Sequence, residues 1–139
     1  MQNGDLSKDQ YGEVPVGGTV NVVDGVSISL GQPRTEELAG GPGEVGGSGI
    51  IVPVMLTNSS GAEISLSGFT ATASYGEGDG TPASEISSAS TRVPSKLAAG
   101  ESVSVDRAFV VPAEGRGNVK VVVDLGAAYH SAVFRGAMG

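Results

Sequence analysis

Apolar side chains recur at every second position in several short stretches of this chain. Residues 26–30 read Val-Ser-Ile-Ser-Leu, and the stretch before Pro112 places Val103, Val105, Phe109 and Val111 on one face. A period of two is typical of a β-strand with one buried face. Comparable alternation is found at residues 19–23, 49–57, 64–75 and 119–125, and less regularly at 129–135. The pattern therefore predicts seven or eight strands.

Turn residues separate these stretches at near-regular spacing. Asp24-Gly25 lies between two alternating runs and predicts a hairpin, because both central residues of a type I′ turn need positive φ. The 23 glycines and the many β-branched residues disfavour long helices. The sequence predicts an all-β fold, an immunoglobulin-like antiparallel β-sandwich of about seven to eight strands. It lacks the Cys-Trp-Cys core of antibody domains.

Two residues interrupt the strand pattern. Pro53 lies in the middle of the apolar run 49–57, and its missing N–H predicts an edge strand or a bulge. Arg107 falls on the apolar face of the run 103–111. We expect it near the end of a sheet, or with its stem along the core and its head in water.

The length of 139 residues predicts one domain. We assign residues 1–13 to a flexible polar leader, residues 14–135 to the sandwich and residues 136–139 to a C-terminal tail. Residues 32–48, rich in glycine, are expected to form a long loop without a regular element. A second Gly/Ser-rich stretch at 76–90 is predicted as a loop whose few apolar anchors include Ile86.

The net charge of −7 argues against nucleic acid as a partner, since no basic patch is visible. No basic run predicts binding to an anionic membrane surface, and no stretch has the length of a spanning helix. We expect membrane association only through a lipid anchor absent from this chain. The lack of cysteine excludes disulfides and thiolate metal sites.

The residues that commonly perform catalysis are sparse. His130 is the only histidine, and its neighbour Ser131 points to the opposite face of a strand, so the two cannot form a local dyad. We therefore expect no enzymatic activity and no cofactor. Glu77 and Asp79 are a weak calcium candidate, because hard cations prefer carboxylate oxygens but usually need six or more. The alternative for this pair is a solvated loop tip.

Apolar residues on the nominally outward strand faces form a candidate binding patch. They are Ile51, Met55, Val122 and Phe134. Exposed apolar patches mark interaction sites. The alternative is that loops or an irregular sandwich bury these strands on both faces.

Four sequence blocks together resemble a known family. They are Gly18-Thr-Val-x-Val-x-Asp-Gly-Val-x-Ile, Val52-x-Val-x-Leu-x-Asn-Ser-Ser, Leu97-x-x-Gly-Glu-Ser with Phe109-x-Val-Pro112, and Val119-x-Val-x-Val-Asp-Leu. In order and spacing they resemble the uncharacterised immunoglobulin-like domain of cell-envelope lipoproteins and secreted proteins in Gram-positive bacteria, especially actinobacteria. The resemblance implies an exported sandwich, often tethered through an upstream lipidated cysteine. It implies no catalytic residues.

These observations favour a non-enzymatic extracellular or cell-envelope domain that binds a protein partner or acts as a spacer or display module. The alternative is a carrier of a small apolar or lipidic ligand, since a core of small Val and Ala side chains could leave room between the sheets.

Overall fold

The computed structural model describes residues 13–43, 46–77, 80–86, 89–126 and 129–138. The predicted leader lies outside these residues except for Glu13. The described chain forms twelve β-strands: Glu13–Pro15 (β1), Thr19–Val23 (β2), Val26–Leu30 (β3), Arg34–Leu38 (β4), Gly47–Asn58 (β5), Ile64–Ser65 (β6), Thr70–Tyr75 (β7), Thr81–Ala83 (β8), Lys96–Leu97 (β9), Ser102–Val110 (β10), Val119–Asp124 (β11) and Ala132–Gly136 (β12). A short 3-10 helix spans Ala113–Gly115. Eight of the twelve strands have five or more residues, and these eight include β4, which the sequence did not predict.

The strands form two five-stranded sheets and one short pair. The β5 sheet has the order β10-β5-β3-β2, with β4 also paired to β5, and the β11 sheet has the order β1-β12-β11-β7-β8. The remaining pair is β6 with β9. Pairing is antiparallel except between β1 and β12. The all-β sandwich prediction is confirmed.

The core lies between the two sheets. Alternate residues of β5, namely Ile50, Val52, Val54 and Leu56, are completely buried. They face the buried valines of β11 and Phe134 of β12 within one cluster. The predicted faces of β10 and β11 are confirmed, because Val105, Phe109 and Val111 are buried, as are Val119, Val121 and Val123.

The β2–β3 hairpin has the predicted bounds. Val23 pairs with Val26 across Asp24-Gly25, and Gly25 has φ +83°. A Cβ at Gly25 would lie 2.6 Å from Cα of Ser60. Glycine is therefore required here both by the turn conformation and by a close backbone approach.

We expect Gly25→Ala to lower the free energy of unfolding by about 3 kcal/mol, because positive-φ strain adds to a backbone clash. Gly17→Ala is the control, since Gly17 also has positive φ but has open space around it. Its cost should be only about 1 kcal/mol. Urea unfolding of both variants measures the difference, and equal losses would contradict the contact with Ser60.

Pro53 does not place its strand at an edge. β5 pairs with β10 along nearly its whole length, and its other side pairs first with β4 and then with β3. Pro53 lies where β4 gives way to β3, and its carbonyl accepts the Gly31 N–H at 2.8 Å. Because the N and O of one residue point the same way in an antiparallel strand, the missing N–H faces this gap and removes no ladder bond.

Residues 32–48 are not a loop throughout, which corrects the prediction. They contain β4, which pairs with β5 from Arg34↔Ile51 to Leu38↔Gly47. Leu38 is buried while the four preceding residues of β4 are exposed. The strand forms because β5 extends beyond the end of β3 and offers unpaired backbone groups to β4.

The second Gly/Ser-rich stretch joins the two sheets. β8 pairs with β7 in the β11 sheet, and the chain then runs beside β10 in the other sheet. There the Ile86 N–H donates to the Ala108 carbonyl, and the Val110 N–H donates to the Ser84 carbonyl. Ile86 is completely buried, as its predicted role as an anchor requires.

The head of Arg107 does not lie in water, because only 12% of the side chain is exposed. Its Nη1 lies 3.1 Å from Oε2 of Glu85, and its Nη2 donates to the Thr91 carbonyl. The guanidinium also lies over the Phe69 ring, 5.6 Å from its centroid. A charge on a buried face is stable here because a carboxylate, a carbonyl and an aromatic ring surround it.

The packed core extends past the predicted domain end at residue 135. Gly136 ends β12, and Met138 is completely buried with its N–H donating to the Arg116 carbonyl at 2.8 Å. The described part of the predicted tail thus belongs to the sandwich.

Candidate interaction surface

Two of the four predicted patch residues are not on the surface. Phe134 is completely buried, because it pairs with Val121 in the inward-facing register of β12 and β11. Ile51 does face away from the main core, but Leu38, Ile86 and Ala108 cover it in a second small cluster. Both are corrections to the predicted patch.

The other two patch residues lie on opposite outer faces of the sandwich. Met55 is on the outer face of the β5 sheet and is 44% exposed. Val122 is half-buried on the outer face of the β11 sheet, between Lys120 and Asp124. The four predicted residues therefore do not form one site.

Met55 lies within a regular array of small polar side chains. The register aligns one row across four strands, Asn21, Ser27, Thr57 and Ser102, and a second row, Thr19, Ser29, Met55 and Ser104. We call these eight residues the outer-face patch. All are exposed or half-buried. Neighbouring strands lie about 4.8 Å apart, so the patch is about 14 Å wide.

The outer-face patch contains no ionisable side chain, although the chain has a net charge of −7. Its charged neighbours lie at its ends. At one end Arg34 Nη2 lies 3.3 Å from Oδ2 of Asp106, and at the other Asp24 occupies the hairpin turn. Within the patch the Ser102 hydroxyl donates to Oγ1 of Thr57 at 3.1 Å. The surface offers hydroxyls, one amide and one thioether to a partner.

The sequence contains the signal for this surface in part. Ser27, Ser29, Ser102 and Ser104 are the polar half of their strand alternations. Alternation gives the face of each residue but not its lateral neighbour, which depends on register between strands distant in sequence. Apolar character at an outward position therefore indicates Met55 but not the polar residues around it.

None of the candidates for chemistry is a member of the outer-face patch. Glu77 is exposed, and Asp79 lies outside the described residues. His130 is exposed and its backbone N–H donates to the Val22 carbonyl, while the Ser131 hydroxyl donates to Oδ2 of Asp124 at 3.2 Å. Among the described residues, no three His, Asp or Glu side chains lie close enough to share a metal ion. The described helical residues include no segment that could span a bilayer.

An ion pair links β1 to its neighbour β12 at one edge of the β11 sheet. Arg135 donates from Nε and Nη2 to the two carboxylate oxygens of Glu13, both at 3.0 Å. This hydrogen bonding lowers the pKa of the Glu13 carboxyl below its ordinary value, against a smaller opposing effect of burial. The pair joins the first described strand to the last one.

The lowered pKa of Glu13 predicts a pH-dependent contribution to stability. The ion pair stabilises the fold above the unfolded carboxyl pKa of about 4.3 and is lost as pH falls through the lower folded-state pKa. We expect Glu13→Gln to be less stable than the parent at neutral pH, with the difference vanishing in acid. Glu36→Gln on exposed β4 controls for charge loss. A difference that persists unchanged at low pH would contradict this role.

The two packed sheets, with their apolar side chains between them, define an all-β sandwich. A similar architecture is found in the crystal structure of the yjhA protein from Bacillus subtilis, with a TM-score of 0.66 and 12% sequence identity. The match covers 87% of this chain and 97% of that chain. At this identity the likeness shows the fold. No family model and no curated protein matches the sequence.

Proposed function

We propose that this chain is a non-catalytic recognition domain of an exported protein, and that the outer-face patch binds a protein partner. The single observation behind the proposal is an uncharged array four strands wide, with exposed Met55 within it, on an otherwise acidic molecule. The exported, envelope-associated setting is supported by the sequence resemblance to immunoglobulin-like lipoprotein domains.

The composition of the patch favours recognition for physical reasons. The cores of protein interfaces are depleted in charge and enriched in methionine. Serine and asparagine give adaptable hydrogen bonding, and serine and threonine have few rotamers to immobilise. A partner that covers Met55 buries apolar surface without leaving an unpaired charge from this chain. The short side chains also let a partner approach the sheet closely.

The test compares Met55→Asp with Val122→Asp. Both place a carboxylate on the outer face of a central strand, but on opposite sheets, so they are matched for charge and strand position. The immobilised parent chain and both variants are used for affinity capture from solubilised envelope of the source organism. We expect a protein retained by the parent and by Val122→Asp, and its binding to Met55→Asp to be at least about tenfold weaker.

Equal retention by all three chains would contradict the assignment of this face. Failure of the parent chain to retain any protein would contradict the recognition proposal. Circular dichroism of the variants serves as the folding control. Because both side chains are at least partly exposed, both variants should keep the parent spectrum.

A further inference from the structure

The edge strands of the two sheets differ in how they are protected from pairing with another chain. Natural edges are blocked by charges, proline, bulges or covering segments. β1 and β8 are short and contain Pro15 and Pro82, and β4 contains Arg34, Glu36 and Glu37. The described part of residues 84–91 covers the outer edge of β10.

β2 has few of these protections. Residues 14–23, which include all of β2, contain no charged side chain. A register shift between Asn21 and Val23, together with the bond from His130 to Val22, covers the end of β2 next to the hairpin. The remaining part, from Thr19 to Asn21, has neither a charge nor a proline.

The ladder geometry shows which backbone groups of β2 face the open side. The Gly31 N–H donates to the Pro53 carbonyl in β5. Backbone N–H and C=O groups alternate in direction along a strand, so those of Ser29 and Ser27 also point toward β5. The backbone groups of the alternate residues of β3 point toward β2. Val20, opposite Ile28, therefore exchanges its bonds with β3. The N–H and C=O of Thr19 and Asn21 point outward. No described residue bonds to these groups on that side.

We propose that β2 is a self-association edge, and that its occupant is the β2 strand of a second copy of this chain. An antiparallel pair centred on Val20 places Thr19 opposite Asn21 of the second copy, and Asn21 opposite Thr19. The two residues with outward-facing backbone groups are thus matched to each other by a two-fold axis, which gives four N–H···O=C bonds.

Charge and side-chain chemistry support a second copy over a different chain. In this two-fold pairing, every residue opposite β2 comes from residues 14–23 of the second copy, and these residues carry no charge. The two acidic molecules therefore meet without placing one acidic side chain opposite another. Thr19 and Asn21 of opposing copies lie side by side on the outer face, where hydroxyl and amide are complementary. The pairing also joins the two outer-face patches into one continuous sheet surface.

The contact is small, so the association is weak and depends on concentration. The test is sedimentation velocity of the 139-residue chain over about two decades of concentration up to the millimolar range. We expect a monomer–dimer equilibrium that strengthens with added salt, because salt screens the repulsion between two chains of net charge −7.

Asn21→Pro is the discriminating variant. It removes an outward N–H without removing an internal ladder bond, so two of the four intermolecular bonds are lost and association should weaken about tenfold or more. A proline control elsewhere is unsuitable, because Thr72→Pro would break an internal strand. The control is therefore a pair of lysine variants, Asn21→Lys at the edge and Thr72→Lys on the exposed face of β7. Only Asn21→Lys should weaken the dimer.

Hydrogen exchange gives a second measurement on the unaltered chain. The Thr19 and Asn21 amides should become protected as concentration rises, while other edge amides should not change. A chain that stays monomeric at millimolar concentration would overturn the proposal. So would a dimer that persists undiminished in Asn21→Pro, or a dimer of the unaltered chain that leaves the Thr19 and Asn21 amides unprotected. Asn21 also belongs to the outer-face patch, so Met55→Asp separates the two proposals: it should weaken protein capture and leave the dimer unchanged, because Met55 lies two strands away from the β2 edge.

Discussion

Replacing Phe134 with alanine lowers the free energy of unfolding by about 4 kcal/mol, the loss expected for a large buried aromatic side chain. Phe134 is completely buried between the sheets and pairs with Val121 of β11. Alanine would leave a cavity bounded by both sheets, which strands held by their ladders can close only in part. Equilibrium urea unfolding at neutral pH measures the effect.

Val133→Ala is the control for Phe134→Ala. It changes the next residue of the same strand, but Val133 points to the outer face and is only half-buried. Its loss should stay below about 1 kcal/mol. If the two variants lose the same stability, the inward orientation of Phe134 is wrong.

Replacing Asn58 with alanine lowers the free energy of unfolding by about 3 kcal/mol. Asn58 is completely buried, and its Nδ2 donates to the Ala62 and Leu97 carbonyls at 2.7 and 3.0 Å. Its Oδ1 accepts from the backbone N–H and the hydroxyl of Ser60 at 3.0 and 2.6 Å. Removing the amide leaves buried polar groups without partners, each at a cost of about 1–3 kcal/mol.

Asn58→Asp tests the direction of these bonds. It keeps the accepting oxygen but replaces the donating nitrogen with an oxygen that faces two carbonyls. A buried carboxylate in this setting has a raised pKa, so the penalty should grow as pH rises above the unfolded value of about 3.9. The parent should show no such change from this site. An Asp variant with a pH-independent loss would contradict the assigned donor geometry.

The sequence predicted the strands whose local pattern is unambiguous. The hairpin at Asp24-Gly25 and the buried faces of β10 and β11 followed from period-two alternation and turn chemistry. β4 was missed because its four exposed residues show no alternation, and its pairing depends on the unpaired half of a strand later in the chain. Such tertiary support overrides local propensity.

The patch prediction failed in part for a related reason. Val133 and Phe134 are adjacent and both apolar, so periodicity alone cannot decide which one faces inward. The register with β11 decides it, and Phe134 becomes a core residue. Met55 was predicted to be exposed and is, but its polar neighbours on β3 and β10 are joined to it only by pairing.

The pairing of β5 with β10 has a consequence for how the chain folds. This pair extends from Thr57 opposite Ser102 to Gly49 opposite Val110, so its residues are far apart in sequence, whereas the β2–β3 hairpin closes over two residues. Closing a long chain segment costs entropy before its contacts form, and folds dominated by such pairs fold in milliseconds to seconds. The hairpin can form within about 10 microseconds. The pairing of β10 with β5 should therefore limit the rate of refolding.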